Sequence, residues 1–122
     1  MDERKTKKMG NLIREAVEDI IRRDVSDPRI GFFTITFVKV TRDMKYAKIL
    51  ISFLGSDEQK KRGFAGIKSA ASYIQHRLAQ RLDTRFTPEI VFELDEMKEQ
   101  RIEQLFSEIR KEQHEPEQKP PD

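Results

Sequence analysis

The stretch from Ser56 to Leu94 constrains the fold most, because it reads as a helix interrupted by the small triplet Ala70-Ala71-Ser72 and then a strand led by Pro88, an order few folds use. Ile74, Leu78 and Leu82 recur every four residues and form one apolar stripe, with Arg77 and Arg81 repeating the same interval beside it. Ser56 with Gln59 three residues later fits a capping box, in which each side chain satisfies an orphan backbone donor, so the helix starts near Asp57. Within the helix lies Ala70-Ala71-Ser72, where no side chain exceeds a hydroxymethyl and Ser72 competes for backbone hydrogen bonds. This triplet predicts an interruption, with a bend near Ser72. Asp83 and Thr84 end the helix. Ile90, Phe92 and Leu94 then alternate with Val91 and Glu93 as a strand, with Pro88 at its beginning or edge.

The N-terminal half must supply partners for that helix and strand. Ile13, Ala16, Val17, Ile20 and Ile21 follow a helical period, and Asp27-Pro28 forces a turn or extended chain, so the first helix ends near Asp24. Phe32 to Val40 and Tyr46 to Phe53 are rich in aromatic and β-branched residues and read as a hairpin. Ala47, Ile49, Ile51 and Phe53 alternate cleanly, whereas Phe33, Ile35 and Phe37 fall out of phase with Val38 and Val40. A β-bulge near Thr36 or Phe37 reconciles the two sets. A last helical pattern, Ile102, Leu105, Phe106 and Ile109, follows Asp95 as its N-cap. The expected order is α, β, β, bent α, β, α.

This order resembles the ribosome-binding factor A family, as do the Asp27-Pro28-Arg29 turn, Tyr46-Ala47-Lys48, the Ala70-Ala71-Ser72 kink and Pro88-Glu89. The resemblance runs roughly from Lys7 to Ile109. The family's kink usually reads Ala-x-Gly, and here Ser72 stands in the glycine's place. The resemblance implies an α+β fold, a single type II KH-like domain. It also implies association with the free small (30S) ribosomal subunit and help in late maturation of bacterial 16S ribosomal RNA, notably in cold growth. The expected domain spans residues 1 to 112 with the last helix included, and residues 113 to 122 form a disordered polar tail.

Composition agrees with one small domain. A chain of 122 residues suits a single core. The absence of cysteine excludes disulfides, zinc-thiolate sites and thiol nucleophiles. The charged N terminus does not resemble a secretory signal and no apolar run approaches a membrane span, so the expectation is a cytoplasmic protein; a monomer is expected as well. The net charge of +2 hides a strong polarity. Residues 1 to 85 hold 19 Lys and Arg against 11 Asp and Glu, a net of +8, while residues 86 to 122 hold 5 against 11, a net of −6. Phosphate binding depends on a locally positive face rather than on total charge.

Two basic sets are the candidate RNA contacts. Lys39, Arg42, Lys45 and Lys48 cluster around the hairpin, and Arg77, Arg81 and Arg85 follow the long helix to its end. Arg29 either joins them or caps the first helix. Lys5, Lys7 and Lys8 rank second, as a flexible grip on phosphate or simply as solubilising charge. The acidic C-terminal region either restrains indiscriminate RNA binding or has no such role.

Gly63-Phe64-Ala65-Gly66 matches the GxxG loop by which ordinary KH domains admit an RNA backbone. Its middle positions are apolar, however, and Phe64, Ile67 and Ala71 fit one buried helical face. A structural role is therefore expected, against the alternative of a generic single-strand binder. The other alternative is a protein-interaction module. Enzymatic chemistry finds little support: His76 and His114 sit in no triad or metal spacing, Asp95, Glu96 and Glu99 suit a first helical turn, and no P-loop or dinucleotide-binding glycine pattern occurs. No cofactor, metal or small-molecule substrate is expected.

Overall fold

A computed structural model describes residues 3–96. Within them the chain forms α1 (Glu3–Asp24), β1 (Phe33–Val40), β2 (Tyr46–Phe53), α2 (Asp57–Arg81) and β3 (Glu89–Leu94). This is the expected α+β order. The C-terminal helix expected after Asp95, and the tail of residues 113 to 122, lie outside the described residues.

The apolar period of α1 reaches further back than Ile13, since Met9 and Gly10 are also buried along with Ile13, Ala16, Val17, Ile20 and Ile21. That extension pulls the charged N terminus into the helix. Lys5, Lys7 and Lys8 are exposed positions of α1 rather than a flexible arm.

The sheet has the order β1-β2-β3. β1 and β2 are antiparallel, while β3 returns through the α2 crossover to lie parallel to β2. The phase break in β1 is a bulge: Ile35 pairs with Ile51 and Phe37 with Leu50, leaving Thr36 as the extra residue. One added residue turns Val38 and Val40 to the side already occupied by Ile35, so a single face can pack. The Thr36 hydroxyl donates to the buried carboxylate of Asp95 at 2.8 Å, which ties the bulge to the end of β3.

Both helices cover that face. Ile13, Val17 and Ile20 from α1, Ile35 from β1, Ile49 and Ile51 from β2, and Ile67, Ile74 and Leu78 from α2 are almost wholly buried in one cluster. The capping box is present in full: the Gln59 amide donates to the Ser56 hydroxyl at 3.1 Å, and the Ser56 amide to the Gln59 side chain at 2.8 Å. Gln75 bridges α2 to the start of β3, donating to the Pro88 carbonyl at 3.0 Å and accepting from the Ile90 amide at 2.8 Å.

The interruption expected at Ala70-Ala71-Ser72 is not a break. α2 is assigned as helix through all 25 residues, and Ala70 and Ala71 lie half-buried against the core. Two alanines are strong helix formers, and they precede a single weak competitor.

Arg29 caps its own turn rather than α1. Its guanidinium meets the Asp27 carboxylate at 2.7 Å, its amide donates to the same carboxylate at 2.9 Å, and it reaches the Ser69 hydroxyl on α2 at 3.2 Å. The side-chain hydrogen bond from Arg29, then its backbone amide, lower the Asp27 pKa from 3.8 to about 2. A depressed carboxylate pKa stabilises the fold above the unfolded value, and that contribution is lost as pH falls through the folded value. Acid urea melts should therefore show a stability loss between about pH 4 and about pH 2 that is smaller in Asp27→Asn. Equal losses in the two proteins would show that the pair does not contribute.

Candidate nucleic-acid interface

Burial of Ala47, Ile49, Ile51 and Phe53 against the helices sends Tyr46, Lys48, Leu50 and Ser52 to the opposite side of the sheet. Lys39 lies directly across from Lys48 in the ladder, and Val91 lies across from Lys48 on the other side. Phe37, Tyr46 and Val91 on this face are each about half exposed. Two lysines directly opposed in a ladder repel one another, a cost that an anionic partner relieves. Lys48 lies 3.7 Å from Glu93, with both side chains more than half exposed. A pair so solvated is worth only about 0–1 kcal/mol and yields readily to phosphate.

The open face continues into a groove between α1 and β1. Lys7, Asn11 and Arg14 line one wall, Phe37 and Lys39 the other, and the space is about 460 Å³. Gly10 of α1 packs against β1 here, where a Cβ would just touch the Val38 carbonyl at 3.4 Å. Arg14 donates to the Ile35 carbonyl beside the bulge. Sequence reasoning ranked Lys7 second and passed over Asn11 and Arg14. Their spacing of four and three residues, which puts them on one helical face, was the available signal.

The hairpin turn carries Arg42 and Lys45, both exposed. Between them Asp43 accepts from the Thr41 hydroxyl at 2.8 Å and from the Lys45 amide at 3.1 Å. Those bonds, the hydroxyl's first, lower its pKa, so a carboxylate charge sits among the turn's cations. Met44 adopts a left-handed conformation, φ 64°, which closes the turn. Arg85 lies at the same end of the molecule, since the Glu89 amide donates to the Lys45 carbonyl at 2.8 Å. Its guanidinium rests 5.5 Å from the centre of the Phe86 ring.

Arg77 and Arg81 are placed elsewhere. Arg77 pairs with Asp24 at 3.2 Å and Arg81 with Asp19 at 2.8 Å, both acids belonging to α1. The helix stripe thus meets an acidic stripe on the neighbouring helix, in the layer behind the sheet. The two basic sets do not share a face: Lys39 and Lys48 point away from the helices that carry Arg77 and Arg81. The signal in the sequence was Asp19 and Asp24, spaced to face arginines four apart on an antiparallel helix.

Gly63 and Gly66 form no loop. Both are buried in α2, where a Cβ on Gly63 would fall 2.7 Å from the Phe53 ring, and one on Gly66 2.9 Å from Ile30. An RNA backbone has no approach to glycines closed off in this way. His76 is exposed on α2, and the described residues hold no group of three or more His, Cys, Asp or Glu placed to bind a metal ion. No helix among them is long and apolar enough to cross a membrane.

Residues 5–106 match the family model described as ribosome-binding factor A. A ribosome-binding factor A from Halothermothrix orenii is 34% identical over 115 residues, covering 93% of this chain and 94% of that protein. The fold is similar to the crystal structure of ribosome-binding factor A from Thermus thermophilus, with a TM-score of 0.62, 18% identity, and coverage of 73% of this chain and 94% of that one. It is also similar to a homology model of the Thermus thermophilus factor fitted into the cryo-electron-microscopy map of a 30S–RbfA complex. There the TM-score is 0.53 with 17% identity, covering 73% of this chain and 89% of that one.

Proposed function

The chain belongs to the ribosome-binding factor A family, and we propose that it binds the free small ribosomal subunit in the cytoplasm and assists late maturation of 16S ribosomal RNA, including during cold growth. The observation that carries this reading is the sheet face turned away from α1 and α2, where Lys39 and Lys48 stand side by side among exposed Phe37, Tyr46 and Val91. The fitted 30S–RbfA complex of the Thermus thermophilus relative supports a small-subunit partner for this chain.

The proposed mechanism is binding without catalysis. Residues 1 to 112 act as one monomeric binding domain. Lys39 and Lys48, with Arg42, Lys45 and Arg85 at the hairpin end, meet phosphates of an incompletely folded subunit. A ligand shifts an equilibrium only through its differential affinity for the two states. Binding to an incompletely folded subunit therefore favours one RNA arrangement over the competing ones, and the protein leaves as the mature form appears.

Co-sedimentation with free small subunits, free large subunits and joined ribosomes tests this, each at low and moderately high salt. The expected result is recovery with free small subunits alone, falling steeply with salt because phosphate contacts release counterions. Equal recovery with all three particles, or with none, would overturn it.

A further inference from the structure

Phe32 and Leu54 are 80% and 77% exposed, at the end of the strands opposite the lysines. Eight residues of strand at about 3.3 Å each separate that end from the hairpin turn by roughly 25 Å. The Leu54 amide donates to the Phe32 carbonyl at 3.1 Å, so the two loops are tied together and present both side chains as one ridge. Gly55 follows with φ 128°, a conformation that a side chain rarely tolerates, and turns the chain away toward α2.

Grooves of about 520 and 240 Å³ flank this ridge, and both include Phe32, Phe53 and Leu54 in their walls. One reaches Lys60 past the hydroxyls of Thr34 and Ser52, and the other reaches Arg62. Among the described residues, no carboxylate lines either groove. An exposed aromatic ring between two cations, with hydroxyls beside it, combines a stacking surface with phosphate contacts and hydrogen-bonding groups. An acidic peptide would use the cations but not the ring, and a paired duplex cannot lay a base face on Phe32.

We propose that the Phe32–Leu54 ridge takes an unstacked base of single-stranded RNA, with Lys60 and Arg62 on the neighbouring phosphates. The protein then holds the small subunit at two places, by charge at Lys39 and Lys48 and by stacking at Phe32. The proposal deepens the reading of a small-subunit RNA partner and rests on it.

The test measures binding of the full chain to a single-stranded RNA octamer and to an abasic ribose-phosphate octamer of equal charge. The variants are Phe32→Ala, Phe32→Tyr, and the pair Lys60→Gln and Arg62→Gln. Phe32→Ala should weaken the intact octamer about tenfold and leave the abasic one unchanged, with Phe32→Tyr restoring affinity. The Lys60 and Arg62 pair should weaken both ligands. Equal effects of Phe32→Ala on the two octamers, no effect on either, or no preference of the wild type for the intact strand would overturn the proposal. Thermal melts by circular dichroism should match wild type, since Phe32 packs little surface. Small-subunit recovery without base-dependent octamer binding would overturn this inference alone, whereas octamer binding without small-subunit recovery would overturn the proposed function.

Discussion

A chain carrying both Lys39→Glu and Lys48→Glu should lose small-subunit affinity by about one to two orders of magnitude at roughly 0.1 M salt, and its salt dependence should flatten by about two phosphate contacts. Both lysines are exposed on a face that neither α1 nor α2 covers, so their reversal leaves the core intact. The double reversal exchanges one like-charge ladder pair for another and sets residue 48 against Glu93, costs kept small by solvent exposure, so a melting temperature near wild type is the expected control. Arg77→Gln with Arg81→Gln should behave differently. Each removes an ion pair to α1 that is more than a third exposed, worth about 0–1 kcal/mol, and neither touches the lysine face. Glutamine is the right replacement, because glutamate at 77 or 81 would face Asp24 or Asp19 and mix repulsion between helices with any loss of RNA contact. Should the glutamine pair abolish binding while the lysine reversals do not, the interface lies on the helical layer.

Gly63→Leu should destabilise the fold by roughly 3 kcal/mol or more, a large share of the usual 5–15 kcal/mol for a small domain. Even the Cβ of alanine would sit 2.7 Å from the Phe53 ring, and that ring is buried at the end of β2 with little room to move. The intrinsic helix preference for Ala over Gly, about 1 kcal/mol, opposes about 1–3 kcal/mol of overpacking. Gly63→Ala should therefore be close to neutral or moderately destabilising, and Leu much worse. Trimming the ring with Phe53→Leu should make Gly63→Ala less harmful than it is alone, a coupling that a double-mutant cycle reads directly. Additive effects would mean that the glycine serves something other than close packing. The same contact explains why an aspartate at Gly63 or Gly66 is a poor probe of RNA recognition: loss of folding would remove binding whatever surface meets RNA.

The features legible in the sequence were those set by near neighbours. The out-of-phase apolar pattern of β1 placed the bulge near Thr36 or Phe37, where the ladder has it at Thr36, because a period-two strand can present one face to a core only if an extra residue resets it. Ser56 and Gln59 placed the start of α2 because a capping box closes within four residues. At Ala70-Ala71-Ser72 a local competitor for hydrogen bonds does not interrupt a helix packed along Ile67, Ile74 and Leu78, so an interruption, unlike the bulge, is not set by near neighbours alone.

By itself the sequence determined the order of helices and strands, the bulge, the capping box and the polarisation of charge, all properties of period or composition along the chain. Tertiary structure alone decided which cations share a surface. Arg81 meets Asp19 across 62 positions, Thr36 meets Asp95 across 59, and Leu54 is tied to Phe32 by the pairing of two strands. The physical reason is that periodicity orients a side chain relative to its own element, whereas packing orients one element against another. The same spacing of arginines thus serves equally as an RNA stripe or as a clasp on α1 until the neighbouring helix is in place.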